Sequence, residues 1–240
     1  MVVSPHRGGR LRWFGWVKDG TRTNWIRPLQ AQSAGAPGEL IGGCGLVLAR
    51  PGDVAVDAAP SVPEPGSMDE PWQLTERTDD SIMLMHHHRG PSPGSWSYQV
   101  SQTLRLQQQR LEWSQSIRNL GRLPLLTRLG WQLHLPDEFC HQICLDAAVP
   151  VLRRPPRGHV ERCTEWDGVA TFGGTDGRFV LLRAPGPMRC VTMTRSAVNA
   201  AMRVDLLTAD VPHLDPLQRG EERTLHLAID LMHTRAPAAG

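Results

Sequence analysis

The spacing of hydrophobic residues predicts helices in the middle of the chain. Between residues 97 and 121, apolar side chains fall close to one stripe at helical spacing, with Gln, Arg and Glu between them. They are Val100, Leu104, Leu111, Ile117 and Leu120. Gly121 is a suitable C-terminal stop. Pro124 can open a second helical segment, LLTRLGWQLHL, which is interrupted by Gly130.

The stretch LPDEFCHQICLD, residues 135–146, is predicted as a third, short helix. Pro136 suits a first helical turn, and Asp137 and Glu138 lie next to the positive end of the helix dipole. Phe139 and Ile143 give this segment an apolar side.

After residue 150 the pattern changes to strands. DGVATF, the turn GGTDG, RFVLLRA and MRCVTMT predict an antiparallel meander. Residues 196–207 fit either a helix or a strand, whereas residues 224–232 alternate apolar and polar positions as a half-buried strand does. Helices followed by strands predict an α+β fold.

Residues 10–27 predict an N-terminal β-hairpin. Asp19-Gly20 is a preferred pair for a two-residue turn, and it places Val17 opposite Arg22. Phe14, Trp16 and Trp25 then share one aromatic face, which is a candidate partner-binding surface.

Residues 31–95 are rich in Pro, Gly, Ala and acidic residues, and such segments seldom bury enough apolar surface to order themselves. We therefore expect a hairpin segment over residues 1–30, a largely flexible acidic linker over 31–95 and an α+β domain over 96–240. His86, His87 and His88 fall within the expected linker and read as a solvated loop.

Composition narrows the class of protein only slightly. The net charge is +2, and Lys18 is the only lysine among 26 basic residues, a bias typical of GC-rich genes. A GC-rich reading frame without a selected function would have the same composition. No secretory leader or long apolar run is visible, so we expect an intracellular protein with reduced thiols that does not enter a membrane.

Four residues have the spacing of a metal site: Cys140 and Cys144, then His159 and Cys163. Two close pairs of thiolate and imidazole ligands across a loop suit tetrahedral zinc. The alternative is that the cysteines lie on a buried face. Arginines of the intervening loop and its end are candidate nucleic-acid contacts, because guanidinium groups bind phosphate well. They are Arg153, Arg154, Arg157 and Arg162.

LPDEFCHQICL also resembles the first helix of an F-box, in which a Leu-Pro-acidic start precedes an amphipathic helix. The resemblance covers about a dozen residues and implies docking on a Skp1-type adaptor through Pro136, Phe139 and Ile143.

No complete catalytic motif is found. The leading function predicted from the sequence is therefore a non-enzymatic interaction or structural protein with an unidentified protein partner. The alternatives are a zinc-stabilised module that contacts nucleic acid and an F-box-like adaptor.

Overall fold

The structure is a computed structural model of the 240-residue chain. It describes residues 1–18, 20–26, 44–49, 70–89, 96–125, 127–145, 152–153, 155–164, 166–186, 188–195, 201–208 and 215–233. In that part of the chain, no helix is long and apolar enough to cross a membrane.

The described residues form strands and one short 3₁₀ helix, Asp137–Phe139. The strands are β1 (Val2–Ser4), β2 (Arg10–Trp13), β3 (Gly15–Lys18), β4 (Thr21–Asn24), β5 (Cys44–Ala49), β6 (Gln73–Arg77), β7 (Ser81–Arg89), β8 (Ser97–Gln107), β9 (Arg110–Asn119), β10 (Arg128–Pro136), β11 (Gln142–Leu145), β12 (Leu152–Arg153), β13 (Val160–Cys163), β14 (Val169–Gly173), β15 (Arg178–Arg183), β16 (Met188–Arg195), β17 (Ala201–Thr208) and β18 (Glu222–His233).

Two antiparallel sheets pack face to face as a sandwich. One has seven strands in the order β1-β2-β5-β10-β17-β16-β13, and the other has nine in the order β12-β11-β14-β15-β18-β9-β8-β7-β6. Their inner faces share one hydrophobic core. Trp131 of β10 meets Trp113 of β9 edge to face, with ring centroids 6.4 Å apart, so the largest side chains join the two sheets.

The α+β prediction is wrong, and the predicted helix over residues 97–121 is a β-hairpin. Strands β8 and β9 pair from Tyr98–Asn119 to Gln107–Arg110. Nearly every second residue of each strand is buried, so the apolar spacing that resembled a helical stripe belongs to two strands with period two.

The other two predicted helices are also strands. Residues 128–136 form β10, which is paired with β5 on one side and with β17 on the other. The stretch that resembles an F-box helix has only a single 3₁₀ turn before it continues as β11, which pairs with β14. The sheets supply long-range partners for these backbones, and those partners override the local helical pattern.

Several strand predictions are confirmed. The N-terminal hairpin has the expected register, with Val17 opposite Arg22. Strands β14 and β15 pair around the Gly-rich turn, and β18 buries one set of alternate residues. Residues 201–208 are strand β17, which resolves the ambiguous segment.

Within residues 31–95 the structure describes strands where the sequence predicts a linker. Strand β5 is an interior strand of the seven-stranded sheet, and β6 and β7 end the nine-stranded sheet. The run of histidines lies in β7 and not in a loop.

Candidate active site

The outer face of the seven-stranded sheet carries a row of polar residues. Strands β10, β17 and β16 direct alternate apolar side chains into the core, which leaves Gln132, Asp205 and Thr192 on the other face. Asp205 is directly opposite Gln132 on one side and Thr192 on the other. Arg162 of β13 continues the row opposite Thr192. Register thus assembles one polar row from four strands.

His134 belongs to this face and is linked to the row through hydrogen bonds. Arg10 donates from NH2 to Gln132 Oε1 over 2.9 Å. His134 Nε2 lies 3.1 Å from the same oxygen. Because an amide oxygen only accepts, Nε2 is the protonated nitrogen in this arrangement. His134 is 8% exposed and Arg10 is 5% exposed, so both polar side chains are held away from bulk water.

Asp205 is the most deeply buried charged group of the row, with 1% of its surface exposed. Arg203, on the same strand face, donates from Nε to both carboxylate oxygens, over 3.0 and 2.8 Å. Arg203 is opposite His134 across the β10–β17 pair, so His134 and Asp205 are diagonal neighbours. Diagonal side chains on paired strands are typically about 7–8 Å apart.

Gly45 makes room for Arg10 in this arrangement. A Cβ atom built on Gly45 would lie 3.3 Å from Arg10 Cγ and 3.4 Å from its Cζ. The arginine therefore lies over the strand β5 backbone, and a Cβ at position 45 would require the arginine to shift by a few tenths of an ångström.

A gain in the free energy of unfolding does not explain why polar groups of this kind are buried. Removing charges from water costs several kcal/mol per ion, and a buried ion pair can often be replaced by apolar residues without loss of stability. A buried imidazole, a buried carboxylate and two guanidinium groups, of which Arg10 is buried and Arg203 half-buried, are instead what acid–base chemistry on a polar ligand needs. This face is the candidate active site, and we call its five members Arg10, Gln132, His134, Arg203 and Asp205 the buried polar cluster.

The outer face of the nine-stranded sheet is polar in a different way. His226, Glu112 and Arg105 border an open cavity of about 400 Å³. Farther along, Asp230 accepts from Arg110 Nε over 2.7 Å and is also paired with Arg183. His226, Arg105, Arg110 and Arg183 are exposed, as is usual for polar residues on a solvated sheet face.

The predicted metal ligands are not brought together. Cys140 and Cys144 lie in and beside the β11 edge of the nine-stranded sheet, whereas His159 and Cys163 lie at the β13 edge of the other sheet. Burial raises the pKa of the Cys140 thiol to about 12, so the thiolate that a metal requires is disfavoured. Cys140 Sγ instead lies 3.5 Å from the Pro136 carbonyl oxygen, to which it donates.

The predicted partner-binding residues are largely core residues. Phe14, Trp25, Phe139 and Ile143 are all buried, and the rings of Trp25 and Phe139 stack with centroids 4.6 Å apart. The side chain of Trp16 lies outside the described residues, and Pro136 is half-buried. The apolar surfaces expected to bind a partner are instead used to build the protein.

The predicted nucleic-acid contacts lie at two sheet edges. Arg153 is in β12 and Arg162 is in β13, whereas Arg157 lies just before β13. Arg157 and Arg162 are exposed, and Arg154 lies outside the described residues. Their role stays a prediction.

Sequence reasoning missed the buried polar cluster. The available signal was the alternation in WQLHL (131–135) and in MRVDL (202–206), where every second residue is polar between large apolar ones. That is strand periodicity with polar groups on one face, but the local apolar spacing of residues 125–135 predicts a helix instead.

Solved structures resemble the chain over nearly its whole length. A protein from Escherichia coli K12, named as a candidate aldose 1-epimerase, is 19% identical with a TM-score of 0.70, over 97% of this chain and 95% of its own. A galactose mutarotase related enzyme from Lactobacillus acidophilus is 9% identical with a TM-score of 0.71, over 97% and 94%. A galactose mutarotase-like protein from Lactobacillus casei ATCC 334 is 11% identical with a TM-score of 0.65, over 95% of each chain.

No protein-family model matches the chain, and no curated protein matches it in sequence. The structural likeness overturns the functions predicted from the sequence, because the fold is one of mutarotase-like enzymes. The non-enzymatic interaction protein is contradicted, and so are its alternatives: the zinc-stabilised module, the F-box-like adaptor and the reading frame without a selected function. At these identities the comparisons show the fold alone, which is a galactose mutarotase-like β-sandwich.

Proposed function

We propose that the chain is an aldose 1-epimerase, which interconverts the α and β anomers of an aldopyranose on the outer face of the seven-stranded sheet. The observation that carries the proposal is the buried polar cluster, in which His134 and Asp205 lie on neighbouring strands. Arg203 pairs with Asp205, and Arg10 and His134 share the Gln132 side-chain oxygen. The names of the structural neighbours support the same class of reaction.

The reaction needs one proton acceptor and one proton donor on the same edge of the sugar. As a carboxylate, Asp205 can only accept, so it takes the proton from the anomeric hydroxyl O1. The C1–O5 bond breaks, its electron pair goes to O5, and O5 takes the Nε2 proton of the His134 imidazolium, which becomes a neutral imidazole. Rotation about C1–C2 and the reverse steps close the ring to the other anomer and return both protons, so no co-reactant is required.

The surrounding residues bind and orient the sugar in this proposal. Diagonal placement leaves about 7–8 Å between the strand positions of His134 and Asp205, which is room for the sugar edge that carries O1 and O5. Arg203 holds the Asp205 side chain in place, while Gln132 accepts from His134 Nε2. Since the donors are already positioned, little reorganisation is needed on binding.

The test is anomer exchange of D-galactose and D-glucose, followed by NMR exchange spectroscopy or by optical rotation. The full-length protein should accelerate exchange above the buffer rate. His134→Asn should lower kcat/KM about 10²–10⁴-fold, which is the usual contribution of a general acid or base. His226→Asn, a histidine on the opposite sheet, is the matched control and should keep full activity. No acceleration with any of a panel of aldopyranoses, or equal losses in both variants, would refute the proposal.

We also propose an intracellular location, because all five cysteines are free thiols. Free thiols persist in reducing compartments, whereas secreted domains usually pair them. Mass spectrometry of the protein isolated from its own cells under alkylation would detect any disulfide, and a stable disulfide would contradict this location.

A further inference from the structure

A second set of polar side chains lies on the other sheet, on the inner side of the β6–β7 edge of the nine-stranded sheet. His86 and His88 are two residues apart in β7, so both imidazoles lie on the inner side of the strand, as buried Leu84 does. His87 lies on the opposite side and is exposed. The segment leading into β6 brings Glu70 to the same place, and it is fixed by a hydrogen bond from Trp72 N to the Pro5 carbonyl over 2.8 Å.

The ligand atoms of these three residues converge. One carboxylate oxygen of Glu70 and one ring nitrogen of each histidine, His86 and His88, all lie within 4.8 Å of one another. Among the described residues this is the one group of three or more His, Cys, Asp or Glu side chains so arranged.

His86 and Glu70 lie within hydrogen-bonding distance of each other, but His86 Nε2 is left without a hydrogen bond. His86 is only 7% exposed, and its Nε2 lies 3.0 Å from Glu70 Oε2, yet Nε2 makes no hydrogen bond of acceptable angle. A buried imidazole nitrogen without a hydrogen bond is available as a metal ligand.

Both imidazoles are held by aromatic stacking, and His86 also makes a hydrogen bond with the Pro71 backbone. The His86 ring stacks on Trp72 at 5.6 Å, and the His88 ring stacks on Tyr98 at 4.8 Å. Rings positioned in this way need little ordering when an ion binds, and a preorganised set of ligands binds more tightly.

We propose that Glu70, His86 and His88 form a binding site for a divalent first-row transition-metal ion. Two imidazoles and one carboxylate are a donor set that such ions favour, and three protein ligands leave further coordination positions for water. The site joins β7 to the segment before β6, so an occupied site would tie the sheet edge to the chain that enters it. It is separate from the proposed epimerase site, and failure of either proposal leaves the other standing.

The experiment is calorimetric titration of untagged full-length protein with Ni²⁺ under reducing conditions, together with Co²⁺ absorption spectra. We expect one saturable equivalent and a Co²⁺ spectrum without a thiolate charge-transfer band. His88→Gln and Glu70→Gln should each raise Kd by about 10-fold or more, since even residues that only support a ligand change affinity by 10–100-fold. Melting without metal shows whether these variants are folded.

The neighbouring histidine provides the matched control. His87→Gln removes one imidazole from the same run but from the opposite strand face, so Kd should stay within about twofold of wild type, a difference too small to reflect a lost ligand. The proposal fails if no binding saturates below millimolar Ni²⁺, or if the Co²⁺ spectrum shows thiolate ligation. It also fails if His87→Gln weakens binding as much as His88→Gln, because the run of histidines would then chelate without a built site.

Discussion

The two outer faces of the sandwich are both polar, but they place their polar groups differently with respect to water. On the nine-stranded sheet, His226 and Arg183 are exposed, and Asp230 is shared by two exposed arginines. On the seven-stranded sheet, Asp205 and His134 are buried. A solvated polar face is what any half-exposed antiparallel sheet has, whereas a buried one opposes folding.

This difference decides which face is the better candidate for chemistry. The open face borders a cavity of about 400 Å³, but its charged groups keep their hydration and so interact weakly with one another. In the buried polar cluster the same group types interact in a less polar medium, where hydrogen bonds and charges act more strongly. Burial of the polar groups therefore identifies the site.

The largest expected difference between the two faces is in catalysis. Asp205→Asn keeps the shape of the side chain but removes the proton acceptor, so kcat/KM for aldose anomer exchange should fall about 10²–10⁴-fold. Asp230→Asn makes the same change on the open face and should leave the rate within about twofold, well below any general-base effect. NMR exchange spectroscopy on both variants measures this. Equal rates in the two variants would place the chemistry elsewhere.

The second-largest expected difference between the two faces is in the free energy of unfolding that is lost when a charge pair is broken. Arg203→Met leaves the 1%-exposed Asp205 without its bidentate partner. Breaking a buried pair typically costs about 3–5 kcal/mol, and because Arg203 is 31% exposed we expect a loss near the lower end. Arg105→Met breaks the exposed pair with Asp80 and should leave the urea midpoint unchanged. Urea unfolding followed by tryptophan fluorescence compares them, and a similar midpoint for both variants would mean that water reaches Asp205.

The fold could be predicted from the sequence only where a turn motif and an alternation of apolar and polar residues both indicate strands. Strands β14, β15 and β18 have apolar residues at every second position, and a Gly-rich turn joins the first two. The β8–β9 hairpin has neither signal, because its turn is GlnGln with Gln108 at φ 54°. Its inward positions include Gln102, which accepts from Trp113 Nε1 over 3.2 Å and donates to the Gly9 carbonyl over 2.6 Å. Buried glutamines break the apolar alternation and leave a pattern that resembles a helix.

The site could not be predicted because it depends on register. His134 and Asp205 are about seventy residues apart and meet only because β10 and β17 pair as neighbours. Nothing local to either strand specifies that partner. The cysteine pattern gave the opposite error, since Cys144 and Cys163 are close in sequence but belong to different sheets.

Glycines on the two faces should respond differently to a methyl group. A Cβ on Gly130 would lie far inside contact distance of the Leu206 carbonyl oxygen, a backbone atom that cannot move without breaking the β10–β17 pairing. Gly130→Ala should therefore cost about 2–3 kcal/mol. A Cβ on Gly173 meets nothing closer than 3.7 Å, so Gly173→Ala should be neutral or stabilise the protein by up to about 1 kcal/mol. Differential scanning calorimetry should give melting temperatures shifted in opposite directions, and a tolerated Gly130→Ala would refute the tight pairing.

The smallest expected difference between the two faces is in the reactivity of their cysteine thiols, which does not involve the free energy of unfolding. Cys144 and Cys190 lie on the outer faces of the nine- and seven-stranded sheets, and only Cys144 is partly exposed. Iodoacetamide at pH 8 should therefore label native Cys144 and spare Cys190.

Cys44 and Cys140 should resist labelling even at pH 10, because burial raises the pKa of both thiols to about 12 and a raised pKa keeps them protonated below that value. Peptide mass spectrometry reads each site, with urea-unfolded protein as the control in which all five cysteines react. If Cys190 were labelled as fast as Cys144, the outer face of the seven-stranded sheet would be open to water there, and burial could no longer distinguish the two faces.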